Sequence, residues 1–256
     1  MTARLAALAA RMRRIALAHA RPVDTVPRPS WYTIRNADDA ERAIVQLDGE
    51  IGWDVVSSSF ARDLNNITAP AIDLQINSPG GSVWDGYAIY NAIKTHPATV
   101  TAHIIGVAAS AASFIAMAAD SIIAYRPSEM MIHDAAGYVD IWTMANPADL
   151  ARVIAELDEL RVSLDQTSDE IASLYARKAG GTTAEWRALM TATTWYTPDT
   201  ALAAGLVDSI HGDEQAADDA ATTDTPENGA AERFRASARA TITRARLAQT
   251  LRKGVS

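Results

Sequence analysis

The chain has 256 residues, 48% of them hydrophobic and 21% charged, which is enough apolar material for one main domain with extensions. It contains no cysteine, which excludes a disulfide-stapled secreted domain and a thiolate metal site, and neither a metal nor another cofactor is expected. The net charge of −8 conceals a segregation: Arg4, Arg11, Arg13, Arg14, Arg21 and Arg28 face Asp24 alone, acids from Asp213 to Glu227 follow the core, and cations from Arg233 to Lys253 close the chain.

In residues 1–21, Leu5, Leu8, Met12 and Ile15 recur at helical spacing, and Pro22, Pro27 and Pro29 end any helix. Residues 1–30 therefore read as a basic arm and linker. A docking or membrane-surface helix and a loosely packed or removable one both fit this composition. Arg11, Arg13 and Arg14 interrupt the only candidate for a signal-peptide apolar region, so secretion is not expected.

From Trp31 the pattern changes to short apolar runs, Ala43 to Leu47, Ala71 to Ile76 and Thr99 to Ile105, separated by helical stretches at Val55 to Leu64 and Trp84 to Lys94. Strands alternating with helices predict an α/β layer fold. The most apolar stretch, Ile104 to Ala119, falls short of the roughly 20 residues a membrane span needs and reads as a buried core helix.

Asn146 as N-cap, Pro147 at the first helical position and Asp149 in the first turn open a long helical segment that Gly180 and Gly181 stop. At ~1.5 Å per residue such a helix reaches roughly 50 Å, longer than a compact domain of this size is wide. Two readings stand: one helix whose end projects to meet a partner, or two helices broken near Gln166 to Asp169. After Gly212 apolar periodicity ceases, and residues 213–256 read as an acidic linker with a basic tail, a tether or docking segment. The basic part has the charge to hold an acidic scaffold or nucleic acid, though nucleic acid is not an expected partner.

Three segments carry the parts that acyl transfer needs: a nucleophile, a proton acceptor and backbone donors for an oxyanion. Asn77-Ser78-Pro79-Gly80-Gly81-Ser82 follows a predicted strand, and its glycines let the backbone turn without a Cβ in the way, although Pro-Gly-Gly alone is commonly a turn. Gly106 to Phe114 reads as a strand running into a helix, with Ser110 where helix-terminal N–H groups are unpaired and Ser113 one turn later as its competitor. Met130-Met131-Ile132-His133-Asp134 supplies a histidine after an apolar run. Each segment alone has an ordinary structural explanation; their combination does not.

The order Asn-Ser-Pro-Gly-Gly, Gly-x-Ala-Ala-Ser and Met-Ile-His, with Gly205-Leu206-Val207-Asp208-Ser209-Ile210 as a closing strand, resembles the Clp protease proteolytic subunit over residues 31–212. Ala108-Ala109-Ser110-Ala111-Ala112-Ser113 and Thr194-Trp195-Tyr196-Thr197 resemble more narrowly the ClpP-like head maturation proteases of tailed phages. The resemblance implies a crotonase-like fold of repeated ββα units with a long handle helix, and a serine endopeptidase. Ser110 would be its nucleophile, His133 its base, and Gly80, Gly81 and Ala111 the oxyanion loop. It implies a homo-oligomeric ring, a heptamer or stacked rings, acting on capsid or scaffold proteins, with portal or capsid docking through the arms. It implies no membrane partner, and a place in the cytoplasm or the procapsid interior. The family's third catalytic member, an acid two residues before the aromatic, is here Thr193. Thr193 leaves a dyad, a substitute acid such as Asp134 or Asp199, or a weak enzyme.

Other readings are a peptidase subunit needing an ATPase partner, an inactive shell or scaffold paralogue, an acyl-CoA hydratase or isomerase, and a Ser-Lys peptidase. The Ser110 and His133 pairing argues against the hydratase, and the positions of Lys94, Lys178 and Lys253 argue against the last.

Overall fold

The computed structural model describes residues 32–36, 41–137, 139 and 146–212; the expected arm at 1–30 and tail at 213–256 lie outside them. In chain order the elements are β1 (Tyr32–Asn36), β2 (Arg42–Ile51), α1 (Ser57–Leu64), β3 (Ala71–Gly81), α2 (Val83–Thr95), β4 (Thr99–Ala109), α3 (Ala111–Ala116), β5 (Ser121–Ala124) and β6 (Glu129–Ile132). The remainder is α4 (Pro147–Ala179), α5 (Thr183–Thr191), β7 (Thr194–Tyr196), α6 (Pro198–Ala204) and β8 (Ser209–Ile210). The α/β expectation is met.

The three predicted strands form the centre of one sheet ordered β1-β2-β3-β4-β5-β8, antiparallel only at β1. Alternation explains the choice of face. Val45, Leu47, Leu74, Ile76, Ala102 and Ile104 point into a core shared with Phe60 and Leu64 of α1 and Ile89 and Ile93 of α2. Ile44, Gln46, Asp73, Gln75 and His103 occupy the other face, half-buried.

Strand β4 is longer than a single neighbour can pair. Its first half, Thr101 to Ile104, runs parallel to β5, and its second, Val107 to Ala109, runs parallel to β6, which in turn pairs antiparallel with β7. The sheet forks there. The β3–β4 register also slips between Ile76↔Ile104 and Ser78↔Ala108, which bulges β4 at Ile105 to Val107 and re-aims its end.

Two sequence expectations resolve. The Ile104 to Ala119 stretch is buried from Ala108 on, apart from half-buried Ser110, but Ile105 is exposed and the stretch is not one helix: strand continues to Ala109 and the helix occupies only Ala111–Ala116. Pairing of Ile104 with Ile76 and Ala124 overrides the helix preference of the alanines. The long segment, in contrast, is one continuous 33-residue helix, opened by a capping box between Asn146 and Asp149 and stopped at Gly180. Its first half leaves Leu150, Ile154 and Val162 exposed, and its second buries Ile171, Ala172, Leu174 and Tyr175.

Candidate active site

Ser110 lies at the tip of β4, where the strand turns into α3 with φ 53° and ψ −122°. Positive φ is uncommon outside glycine and costs about 1–3 kcal/mol, so the surroundings must hold it. They do so on both sides. Ser110 N–H donates to Met131 O at 2.9 Å, and Ser110 O accepts from Ser113 N–H at 3.1 Å and from Ser113 Oγ at 2.6 Å. Ser110 occupies the N-cap position, yet its side chain makes no capping bond, which leaves Oγ free to point elsewhere.

It points at His133. The Ala109↔Met131 register brings the end of β4 beside the end of β6, and His133 follows Ile132, the last residue of that strand. His133 Nε2 is 2.7 Å from Ser110 Oγ. A proton can pass between these atoms without further motion, with the imidazole accepting at Nε2 and carrying its own hydrogen at Nδ1.

Ser113, the sequence competitor, is fully buried and otherwise engaged. Its one hydroxyl hydrogen goes to Ser110 O, so Tyr175 Oη, 2.8 Å away, donates to Ser113 Oγ. Burial pushes the Tyr175 phenol up from its ordinary pKa, which keeps it a neutral donor.

The glycine motif has a divided role. Asn77 Oδ1 accepts from Val107 N–H at 3.3 Å and Asn77 Nδ2 donates to Asp48 at 3.0 Å, so this side chain staples the bulge on β4. Ser78 is buried, donates to Gly49 O at 2.6 Å and accepts from Gly80 N–H at 3.1 Å. Gly80, at φ 95°, lies against the nucleophile: a Cβ there would stand 2.6 Å from Ser110 Cβ and 2.8 Å from Ala111 N. Gly81, at φ 143°, is required for another reason, because a Cβ would collide with Ile51 O on β2.

The structure thus brings Gly80, Ser110, Ala111 and His133 together. Ala111 N–H, the first amide of α3, is one of those a helix leaves without an intrahelical acceptor. Gly80 N–H is held by Ser78 Oγ, a neutral bond longer than the charge-assisted one an oxyanion offers in competition.

Thr193, the position the resemblance gave to the third catalytic member, directly precedes β7. Extending the Ile132↔Thr194 register by one sets Thr193 opposite His133. Its φ is 52°, its side chain is exposed, and among the described residues no carboxylate hydrogen-bonds the His133 ring. Both substitute acids are committed. Asp199 takes a bidentate pair from Arg126 at 2.6 and 2.7 Å, and that hydrogen bonding, with the guanidinium charge, holds its carboxyl below the usual range. Asp134 Oδ2 accepts from Thr191 Oγ1 at 2.8 Å while its Oδ1 lies 3.1 Å from Arg187 Nε.

Arg187 was not singled out in the sequence, since nothing in its local spacing marks it; Ser168 fell within the suspected break of the long helix and Tyr175 on its apolar periodicity, neither with a link to the site. A half-buried arginine among acids is visible only once α4, α5 and the end of β6 are assembled.

The family model described as Clp protease matches residues 28–214, well over half the chain. The chain belongs to the Clp protease family. It is therefore a serine endopeptidase, a hydrolase of peptide bonds. Among relatives, an ATP-dependent Clp protease proteolytic subunit of Chlorella vulgaris is 27% identical over 192 residues, 72% of this chain and 88% of the relative. A proteolytic subunit 2 of Corynebacterium efficiens is 32% identical over 167 residues, 64% of this chain and 78% of the relative. A solved ClpP1 mutant of Listeria monocytogenes superposes with a TM-score of 0.56 at 24% identity, covering 67% of this chain and 91% of the other, which establishes the shared fold. Among the described residues no helix of this protease is long and apolar enough to cross a membrane.

Proposed function

We propose that Ser110 is the nucleophile and His133 the general base and acid of an ATP-independent endopeptidase that matures a phage prohead by cutting capsid or scaffold proteins. The observation that carries the catalytic part is the 2.7 Å contact between His133 Nε2 and Ser110 Oγ, made by a serine held at positive φ on a strand-to-helix elbow. Ser110 Oγ attacks the scissile carbonyl as its proton moves to Nε2, the tetrahedral oxyanion draws on the N–H groups of Ala111 and Gly80, and the imidazolium returns the proton to the leaving amine. Water then repeats the sequence on the acyl-enzyme.

Loss of the triad acid can cost about 10⁴ in rate, and among the described residues no carboxylate hydrogen-bonds the His133 ring. A slow, self-limited cutter suits a maturation event that happens once per particle. The narrower motifs Ala108 to Ser113 and Thr194 to Thr197 support the phage assignment. The protease is assigned to homo-oligomeric rings, with the exposed Leu150, Ile154 and Val162 on α4 joining one ring to another. Residues 1–30 and 213–256 are assigned to docking on portal, capsid or scaffold by their segregated charge. A second reading, a peptidase subunit serving an ATPase, is favoured by the relatives' descriptions as ATP-dependent subunits.

The test has two parts. A fluorophosphonate should label the wild type at Ser110, and Ser110→Ala and His133→Ala should abolish peptide hydrolysis while the oligomer survives; hydrolysis that persists in Ser110→Ala refutes the assignment. Intact mass of capsid and scaffold proteins co-incubated without ATP should then show discrete cuts. Cleavage that requires ATP and a second protein selects the alternative.

A further inference from the structure

The segment that carries His133 is fastened immediately after the histidine, at two successive residues. Asp134 places Oδ2 on Thr191 Oγ1 at 2.8 Å and Oδ1 at 3.1 Å from Arg187 Nε, a charge contact whose angle falls short of a hydrogen bond. Ala135 N–H donates to Ser168 Oγ at 2.9 Å, and that hydroxyl spends its hydrogen on Leu164 O at 2.7 Å. Ser168 is buried within α4 and Ala135 half-buried, so this bond is partly sheltered from water.

Arg187 completes the fastening from the other side. Its Nη1 donates to Asp169 Oδ1 at 3.0 Å and to Asp165 O at 3.2 Å, and its Nη2 donates to Asp165 Oδ1 at 3.2 Å. One guanidinium on α5 thereby joins the residue after the base to two acids on α4. The Arg187 side chain is only 20% exposed, Asp134 is half-buried, and Asp165 and Asp169 reach it from the solvent side.

We infer that Arg187 is a positioning residue for the hydrolysis: with Ser168 it clamps Asp134 and Ala135 and so sets the approach of His133 Nε2 to Ser110 Oγ, in a site where, among the described residues, no carboxylate hydrogen-bonds the imidazole. In a Ser-His-acid triad the acid both orients and charge-stabilises the histidine. Here orientation comes through the main chain. The inference rests on His133 being the base. A rigid fork that reaches three acids from one origin is a task for arginine, and lysine, a point charge on a flexible stem, can perform only part of it.

The experiment compares Arg187→Met, Arg187→Lys, Ser168→Ala and His133→Ala with the wild type. Each is assayed for fluorophosphonate labelling of Ser110 and for kcat and KM on the best of a panel of fluorogenic peptides, alongside thermal melting and light scattering. Because displacement of a catalytic group by about 1 Å can cost up to about 10²-fold, Arg187→Met should lower kcat and the labelling rate by roughly ten- to a hundredfold with KM within about twofold. Arg187→Lys should recover part of that loss, and Ser168→Ala should lose several-fold. A folded, oligomeric Arg187→Met with kcat within about twofold of wild type, beside an inactive His133→Ala, overturns the clamp but leaves the base assignment intact. Activity retained in His133→Ala instead overturns the assignment itself. If Arg187→Met does not fold, Ser168→Ala decides: unchanged kcat overturns the clamp, and reduced kcat at unchanged KM supports it.

Discussion

Among the described residues two hold a positive φ without being glycine, one at the end of β4 and one just before β7: Ser110 at 53° and Thr193 at 52°. The serine is held there by bonds to both its backbone groups, but Thr193 is exposed and β-branched, the kind of residue least suited to that region. Aspartate is several-fold enriched at positive φ and adds the countercharge an imidazolium lacks. Thr193→Asp should therefore raise kcat, read on a fluorogenic peptide, without lowering the melting temperature. A neutral or harmful result would show that the charge is supplied from elsewhere. Ser113→Ala tests the neighbouring hydroxyl chain. It removes the bond to Ser110 O and strands the buried Tyr175 hydroxyl, a loss of about 1–3 kcal/mol in a denaturant melt. Activity should survive at reduced stability, which separates a supporting serine from the nucleophile.

At the scale of elements, α4 is two surfaces in one helix. The apolar periodicity that runs from Leu150 to Tyr175 predicts a face to bury, and the polar run Gln166 to Asp169 reads in the sequence as a possible break. In the structure that run is a contact band. Thr167 O accepts from Tyr87 Oη, Ser168 Oγ accepts from Ala135 N–H, and Asp165 and Asp169 hold Arg187. Beyond it toward the N-terminus, Leu150 and Ile154 are 50% and 66% exposed, more than a helix end that packs on its own domain would show. Ile154→Glu should halve the mass of a stacked assembly in light scattering while the melting temperature of the subunit holds, because the side chain leaves no cavity. A mass unchanged by this substitution would place the joint between rings elsewhere.

For the whole molecule, the site depends on one strand changing neighbours. Strand β4 leaves β5 and joins β6 at Gly106, where a Cβ would collide with Asn77 Oδ1, the atom that stands in for the missing ladder acceptor of Val107. Gly106→Ala should displace Asn77 and cost about 1–3 kcal/mol of stability, and it should slow fluorophosphonate labelling because the end of β4 carries Ser110. Equal labelling at reduced stability would show that the bonds around Ser110 hold the elbow without the bulge.

The sequence by itself determined the strand–helix alternation, the capped start of α4, and the ordered trio around Gly80, Ser110 and His133. These are legible because periodicity, capping chemistry and motif order are properties of neighbours in the chain. It left open whether α4 is continuous, and it read the same region two ways, Ile104 to Ala119 as a helix and Gly106 to Phe114 as a strand running into a helix, of which the second holds, because apolarity alone carries no information about the strand that Ile104 will meet. It named Ser110 over Ser113 by family resemblance, and it offered Asp134 and Asp199 as acids without a way to see their arginines. Only the tertiary structure decided that Ser113 faces Tyr175, that Asp199 belongs to Arg126, and that Arg187 gathers Asp134, Asp165 and Asp169. The physical reason is the same in each case: a hydrogen bond or ion pair between residues far apart in sequence exists only after the sheet register and the helix packing have fixed where both partners stand.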